Sequence, residues 1–267
     1  MSYNYCMTIQ DLFLRVKHTC ATDEEYLYEL LKFRGFLLEN CEGGVRLSDN
    51  SHNDDKKFLL NFIGAFGSIN KDGIICLHKQ VNTSLIENDF IQRIKIPEEV
   101  TRYKYRTWVH FNRRHHGHKV SVRVLEPFIA RYIKAISACG VMTIGCCDGN
   151  HPSGNHTLIQ FDGLPSAIWH KLIVVHVLNQ FFPLPWDNSC SCVKFNLHTK
   201  YDIYYELNRA AEFLYDYRLA FREIKQKVFS TLDSDYFVKM RKADKEIYFI
   251  EHAKPLLYEF ANSINAD

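Results

Sequence analysis

The sequence has little that would direct it into or across a membrane. Its longest apolar stretch, Leu172 to Leu178, contains His176 and is far shorter than the roughly 18 residues that a membrane span requires. The first residues, Met1 to Tyr5, lack the basic and long apolar regions of a secretion signal. We therefore expect a cytoplasmic protein with no membrane partner, in which the nine cysteines are reduced thiols.

Several common functional motifs are absent as well. There is no P-loop, no dinucleotide-binding glycine fingerprint, no Gly-x-Ser-x-Gly elbow and no His-Glu-x-x-His motif, which argues against ATPases, simple dehydrogenases, lipases and thermolysin-like proteases. No Cys-x-x-Cys spacing occurs either, so a standard zinc signature is missing. Aromatic residues, in contrast, reach 14%, and so many rings must be buried or bound, which excludes a disordered chain. Whether the protein is an enzyme stays open.

The middle of the chain has the clearest periodicity. Val120, Val122 and Val124 alternate with polar residues, which predicts a strand. Pro127 suits the first turn of a helix, and Gly140 suits its end. Further strands are predicted at 141–146, 157–161 and 193–197, with a helix at 165–182. The order β-α-β-β-α-β predicts an α+β protein with a central split-βαβ, ferredoxin-like antiparallel sheet, flanked by N-terminal and C-terminal helical segments.

Three regions follow from this interpretation. We expect a mostly helical region at 1–100, in which 42–56 is a polar loop, and a sheet region at 101–199 that carries the candidate site. A helical, aromatic region at 200–267, with one long helix after Tyr201, completes the chain. We expect the three to pack as one compact unit.

The densest group of reactive side chains lies where a predicted strand enters a glycine-containing loop. Thiolate, imidazole and carboxylate are the ligands that zinc prefers, and loops at strand ends commonly carry function. The predicted metal ligands are Cys146, Cys147, His151, His156, Cys190 and Cys192. Two other interpretations stay open: buried or solvated cysteines with no role, and a catalytic group in which Cys147 is a nucleophile, with Asp148 and His151 beside it.

A basic, aromatic segment precedes this group. From Arg102 to Lys134 the chain has nine Lys or Arg residues and one acid, Glu126. Cations neutralise phosphates and rings stack on bases, so the segment predicts contact with RNA or DNA. A solvated hairpin, or one that docks on the protein's own acidic helices, is the alternative. The predicted contact residues are Lys104, Arg106, Trp108, Arg113, Arg114, His116, His118 and Lys119.

Three short stretches resemble motifs of nucleic-acid enzymes. Arg113 and His118 match the spacing of the HEPN ribonucleases, in which such a pair serves RNA cleavage. Residues 62–69 are similar to the LAGLIDADG motif of homing endonucleases, but Phe66 stands where the metal-binding acid would be, so that chemistry would be missing. Residues 141–149 resemble a strand-to-turn segment of tRNA-modifying methyltransferases, with Cys-Asp-Gly in the turn.

Together these features predict a nucleic-acid-binding or nucleic-acid-processing protein, with the Cys-Asp-Gly-x-His loop as a metal or catalytic centre. The alternative is a non-enzymatic subunit of a larger complex, in which the aromatic C-terminal helices dock on other protein subunits.

Overall fold

A computed structural model describes residues 8–49, 51–64, 66–78, 83–84, 87, 120–122, 125–147, 157–182, 187–188, 192–195, 200–230, 232 and 234–265. These residues combine helices with small antiparallel sheets, which confirms a mixed helix and strand protein. Within them, no helix has both the length and the apolar composition needed to cross a bilayer.

The described helices and strands follow one another along the chain. The helices are α1 (Ile9–His18), α2 (Asp23–Phe33), α3 (Asn53–Ile63), α4 (Pro127–Ala138), α5 (Gly163–Ile173), α6 (Asn179–Phe181), α7 (Lys200–Asp216), α8 (Arg218–Phe229), α9 (Ser234–Lys239) and α10 (Lys242–Ile264), with a π-helical turn, Val174–Leu178, between α5 and α6. The strands are β1 (Leu38–Cys41), β2 (Gly44–Leu47), β3 (Gly67–Ile69), β4 (Ile75–Leu77), β5 (Thr143–Cys147), β6 (Thr157–Phe161), β7 (Asp187–Asn188) and β8 (Cys192–Phe195).

The chain divides into two compact units. The first comprises the described residues of 1–101, 119–134 and 198–208, and the second comprises those of 135–197 and 209–267. Each unit therefore draws on more than one of the three regions expected from the sequence.

In the first unit, helices start at side-chain caps and are held together by apolar faces. Thr8 and Asp11 form a capping box at the start of α1, and the Thr22 hydroxyl accepts a hydrogen bond from the Glu25 N–H at the start of α2. The buried apolar side chains of the first three helices are Leu12, Phe13, Val16, Tyr26, Leu27, Leu30, Leu31, Phe33, Leu59, Phe62 and Ile63. These residues recur at helical spacing, so local sequence and core packing agree here.

The prediction of a loop over 42–56 was wrong at both of its ends. Residues 44–47 form β2, which pairs antiparallel with β1, and α3 begins at Asn53. Glu42 and Gly43 form the tight turn of this hairpin, and Gly44 is the first residue of β2, opposite Cys41. Gly43 and Gly44 have φ angles of +89° and +142°, a conformation that side chains disfavour, so the glycines allow the chain to turn here.

The second unit contains a four-stranded antiparallel sheet in the order β5-β6-β8-β7. The predicted strands at 141–146, 157–161 and 193–197 correspond to β5, β6 and β8, with ends shifted by up to two residues. The predicted helix at 165–182 forms as α5, the π-helical turn and α6.

A ferredoxin-like arrangement is not confirmed. In that arrangement the strand before α4 would lie between β6 and β8, but β6 pairs directly with β8. Residues 120–122 form no strand. Instead, the Val122 N–H donates to Asp55 Oδ1 over 2.9 Å, and the Val122 carbonyl accepts from Arg34 Nη1 over 3.0 Å. Two buried side chains take the hydrogen bonds that a neighbouring strand would have made.

The predicted long helix after Tyr201 is interrupted. Helix α7 ends at Asp216 and α8 begins at Arg218, so the chain turns at Tyr217. Many of the rings in this region are core residues and not surface residues, since Tyr204, Phe221, Phe229 and Phe249 are all fully buried.

Candidate functional site

Most of the predicted site residues lie outside the described residues. The structure describes Cys146 and the backbone of Cys147 and Cys192. It does not describe Lys104, Arg106, Trp108, Arg113, Arg114, His116, His118, Lys119, Asp148, His151, His156 or Cys190. The roles of these residues stay predictions.

The described candidate cysteines belong to one sheet. Cys146 and Cys147 are the last two residues of β5, opposite Ile159 and Leu158 of β6. Cys192 begins β8, opposite Gln160 of β6. Since one strand separates β5 from β8, and neighbouring strands are about 4.8 Å apart, the backbone of Cys192 is on the order of 10 Å from that of the β5 cysteines. The sheet therefore brings the two segments together, with β6 between them.

A β-bulge precedes the two cysteines of β5. Thr143 lies opposite Phe161 and Gly145 lies opposite Gln160, so Ile144 is an extra residue on β5. A Cβ atom at Gly145 would lie 3.1 Å from Gln160 Oε1, so the glycine allows the Gln160 side chain to approach the strand. Bulges are common beside functional sites, where they redirect the following residues.

The central strand β6 has one packed side and one open side. Thr157, Ile159 and Phe161 are buried, whereas Gln160 is exposed and Leu158 is half-buried. The ring of Phe161 lies 4.7 Å from the ring of His170 on α5. One face of this antiparallel sheet is thus covered by helix, and the other reaches solvent at its centre.

Helix α5 contributes a buried histidine to the covered side. Burial lowers the pKa of His170 to about 3, because the apolar surroundings disfavour the charged imidazolium. His170 is consequently neutral at physiological pH and supports the sheet as a core residue.

No metal centre is found in the part of the chain that the structure describes. There, no three His, Cys, Asp or Glu side chains are close enough together to hold an ion. Of the six predicted zinc ligands, His151, His156 and Cys190 are not described, and Cys147 and Cys192 are described by backbone alone. Zinc therefore stays a prediction.

Sequence reasoning missed a buried ionic anchor in the first unit. Lys134 Nζ lies 2.6 Å from Asp55 Oδ2, and both side chains are buried. Arg34 Nη1 also donates to the Leu125 carbonyl, over 3.3 Å. Together with the contacts of Val122, this bond fixes the backbone at Val122 and at Leu125, a few residues after the basic segment. Arg34, Asp55 and Lys134 stand in ordinary helical patterns, and these patterns do not reveal that the three charged side chains are buried. Only their hydrogen-bond partners in the folded chain identify them as an anchor.

Sequence reasoning also missed a group of side chains in the second unit that donate hydrogen bonds to the backbone at the C-terminal end of α4. Arg222 Nε donates to the Ala138 carbonyl, Trp169 Nε1 to the Cys139 carbonyl, and Lys225 Nζ to the Gly140 carbonyl, over 2.9, 3.0 and 2.7 Å. These carbonyls lack partners within the helix, and cations stabilise that end of the helix dipole. Burial lowers the pKa of Lys225 to about 7. We interpret this group as structural.

Comparison of the chain with family models, with curated proteins and with solved structures gives no match in any of the three.

Proposed function

We propose that the protein binds single-stranded nucleic acid. The basic segment at 102–119 would contact the phosphates, and the bound nucleic acid would lie on the open face of the β5-β6-β8-β7 sheet. The observation that supports this most directly is the exposure of Gln160 at the centre of the sheet. Open antiparallel sheets serve as platforms for single strands in several RNA-binding modules, and this parallel is one of architecture alone.

The anchor at Asp55 and Lys134 supports the same proposal. A segment rich in Lys, Arg and His repels itself, and binding is stronger when it is held in place beforehand. The backbone that follows the segment is fixed by Asp55 and Arg34 through Val122 and Leu125. The described residues that follow the segment are therefore held in one conformation before nucleic acid binds.

We propose that the loop after β5 carries the metal or catalytic centre of the protein. The bulge at Ile144 and the strand end at Cys147 direct the chain into Cys-Asp-Gly-x-His. We propose that Cys146, Cys147 and His151 take part in a metal or catalytic centre there. Elemental analysis of untagged protein tests this, and one zinc per chain is the expected result.

Nucleic-acid binding is tested by fluorescence anisotropy with a labelled single strand over a range of salt concentrations. Binding should weaken as salt rises, with log affinity falling against log salt by about 0.7 for each phosphate that is contacted. The triple variant Arg113→Gln, Arg114→Gln, Lys119→Gln should flatten this slope by about 2. A matched triple, Lys56→Gln, Lys57→Gln, Lys227→Gln, removes the same charge from exposed helical positions and should leave most of the slope.

The sheet face has its own test. Gln160→Glu places a carboxylate on the open face and should weaken binding several-fold through repulsion of phosphates. Gln226→Glu, at an exposed position of α8, is the control. The proposal would be contradicted if the affinity did not depend on salt concentration, or if the two triple variants weakened binding equally.

A second function, as a subunit of a larger complex, is favoured by exposed apolar side chains. Among the described residues of the C-terminal helical region, six large hydrophobic side chains are exposed: Tyr217, Leu219, Tyr236, Ile247, Ile250 and Tyr258. Such residues favour contact with another protein when they form a continuous patch.

This alternative is tested by size-exclusion chromatography of a native extract from the source cells. If the chain is a subunit, it should elute as a larger species than the purified protein. The variant Ile247→Ser, Ile250→Ser should return it to the monomer position, while Leu60→Ser, an exposed leucine of the first unit, should not. Elution of the wild-type chain as a monomer would argue against the alternative.

A further inference from the structure

The π-helical turn Val174–Leu178 holds a histidine whose ring has a buried nitrogen without a hydrogen-bond partner among the described residues. His176 lies at the centre of the turn, and its side chain is 8% exposed. Its Nδ1 atom is buried and has no hydrogen-bond partner in that part of the chain. π-helical turns are rare and frequently occur at functional sites, which makes His176 a candidate ligand-binding residue.

Tyr258 of α10 lies beside His176, and Lys254 of the same helix lies beside Tyr258. The rings of His176 and Tyr258 are 5.1 Å apart, and Lys254 Nζ lies 5.7 Å from the centre of the Tyr258 ring. Tyr258 is 42% exposed, so this group opens to solvent. Glu251 and Glu259 are on the same helix, but neither forms an ion pair with Lys254, which has no carboxylate partner among the described residues.

The protonation of His176 follows from its surroundings. Burial lowers the pKa of His176, and the positive charge of Lys254 lowers it further. The imidazole is therefore neutral at physiological pH and carries one N–H. Since Nδ1 has no acceptor among the described residues, the proton is favoured on Nε2.

The turn itself is held by side-chain amides. Gln180 Nε2 donates to the His176 carbonyl over 2.8 Å, and Asn265 Nδ2 lies 3.5 Å from Gln180 Oε1. These bonds connect α6 and the end of α10 to the turn, and so they fix the histidine in place before any ligand arrives.

We propose that His176, Lys254 and Tyr258 bind a phosphate group. The imidazole N–H, the ammonium and the phenol hydroxyl are three donors from two elements, and such donors can bind the charged oxygens of a phosphate, of which a monoester has three and a nucleic-acid backbone phosphate has two. Lysine is a common point-charge partner of phosphate, and this lysine has a positive charge with no carboxylate beside it.

The site is tested by titrating the full-length protein with inorganic phosphate at constant ionic strength, while the ring resonances of His176 are followed by NMR. A saturable shift is expected. Lys254→Gln should weaken phosphate binding by about tenfold, as expected for loss of a hydrogen bond to a charged group. Lys242→Gln removes an exposed charge from the first turn of the same helix and should leave the affinity unchanged.

A second arm separates the two sources of the phosphate. A single-stranded oligonucleotide without terminal phosphates is titrated in place of inorganic phosphate. A shift with inorganic phosphate identifies a site for free phosphate or a phosphate monoester, and a shift with the oligonucleotide alone identifies a site for backbone phosphates. The proposal is overturned if neither ligand gives a saturable shift, or if Lys254→Gln binds as well as the wild type. A His176→Gln variant, followed by phosphate calorimetry, should also lose affinity.

Discussion

Lys134 Nζ donates to Asp55 Oδ2 over 2.6 Å, and this ion pair is almost fully buried in the first unit. The other oxygen of the same carboxylate accepts from the Val122 N–H. A single aspartate of α3 therefore compensates a buried lysine of α4 and also fixes the backbone that follows the basic segment. The pair therefore stabilises both the packing of α3 against α4 and the backbone at Val122.

Breaking this pair should destabilise the protein strongly. Lys134→Met leaves the Asp55 carboxylate buried without its cation, and the free energy of unfolding should fall by about 3–5 kcal/mol. Urea unfolding measures the loss. Lys171→Met, which breaks the more exposed pair with Glu246, should cost only about 0–1 kcal/mol. Equal losses in the two variants would show that the buried pair has no special role.

The parts of the fold that follow local patterns were predictable from the sequence. Strand β6 alternates buried and accessible residues, and α4 begins at Pro127 and is followed by Gly140 with a φ of +86°. In both cases a short stretch of sequence contains all of the signal. The ends of such elements could be predicted to within a few residues.

Other parts depend on partners that are distant in sequence. The alternation of Val120, Val122 and Val124 is that of a strand, but Val122 is bonded to Asp55 and Arg34, more than 60 residues earlier. No periodicity reveals such contacts. The grouping of Cys146 and Cys192 in one sheet could be inferred from the strand order, whereas the bulge at Ile144 and the π-helical turn at His176 could not.

Lys225 should make stability depend on pH above neutrality. Its pKa is lowered to about 7 in the folded protein, from an ordinary value of 10.5. Between these values the unfolded chain binds a proton that the folded chain does not, so stability from this group rises with pH, by at most about 1.4 kcal/mol per pH unit. Burial also raises the pKa of Cys139, which reduces stability once unfolded thiols ionise near pH 9. The rise is therefore expected between pH 7 and 9.

This prediction is checked by urea unfolding at several pH values. Lys225→Met should remove most of the rise between pH 7 and 9, whereas Lys227→Met, at an exposed position of the same helix, should keep it. An identical pH dependence in wild type and Lys225→Met would mean that the buried lysine keeps its charge throughout this range.

His170 should make the protein sensitive to acid. Its pKa is lowered from 6.5 to about 3, so the unfolded chain takes up a proton in this window while the folded chain does not. Stability from this group is complete above pH 6.5 and falls as the pH is lowered towards 3. His170→Leu should flatten the acid limb of a stability profile measured by circular dichroism, and His18→Gln on the exposed side of α1 serves as the control. An acid limb that is as steep in His170→Leu as in the wild type would assign the effect to other groups.

Gly140 is required both for its backbone conformation and for the space that it leaves. Its φ angle is +86°, and a Cβ atom would lie 2.8 Å from Lys225 Cδ and 2.9 Å from Nζ. Gly73 has a similar φ of +81° but has no atom within 4 Å of the added Cβ. Alanine at either position strains the backbone, while alanine at Gly140 also displaces Lys225 from the helix end.

Gly140→Ala should therefore reduce the free energy of unfolding by about 1–3 kcal/mol more than Gly73→Ala does. The double variant Gly140→Ala, Lys225→Ala removes the side chain that the new methyl group meets, so its loss should be smaller than the sum of the two single losses. Thermal or urea unfolding of the four proteins and the wild type measures these differences. Additive losses would show that Lys225 moves aside freely, in which case the glycine is needed for its φ angle alone.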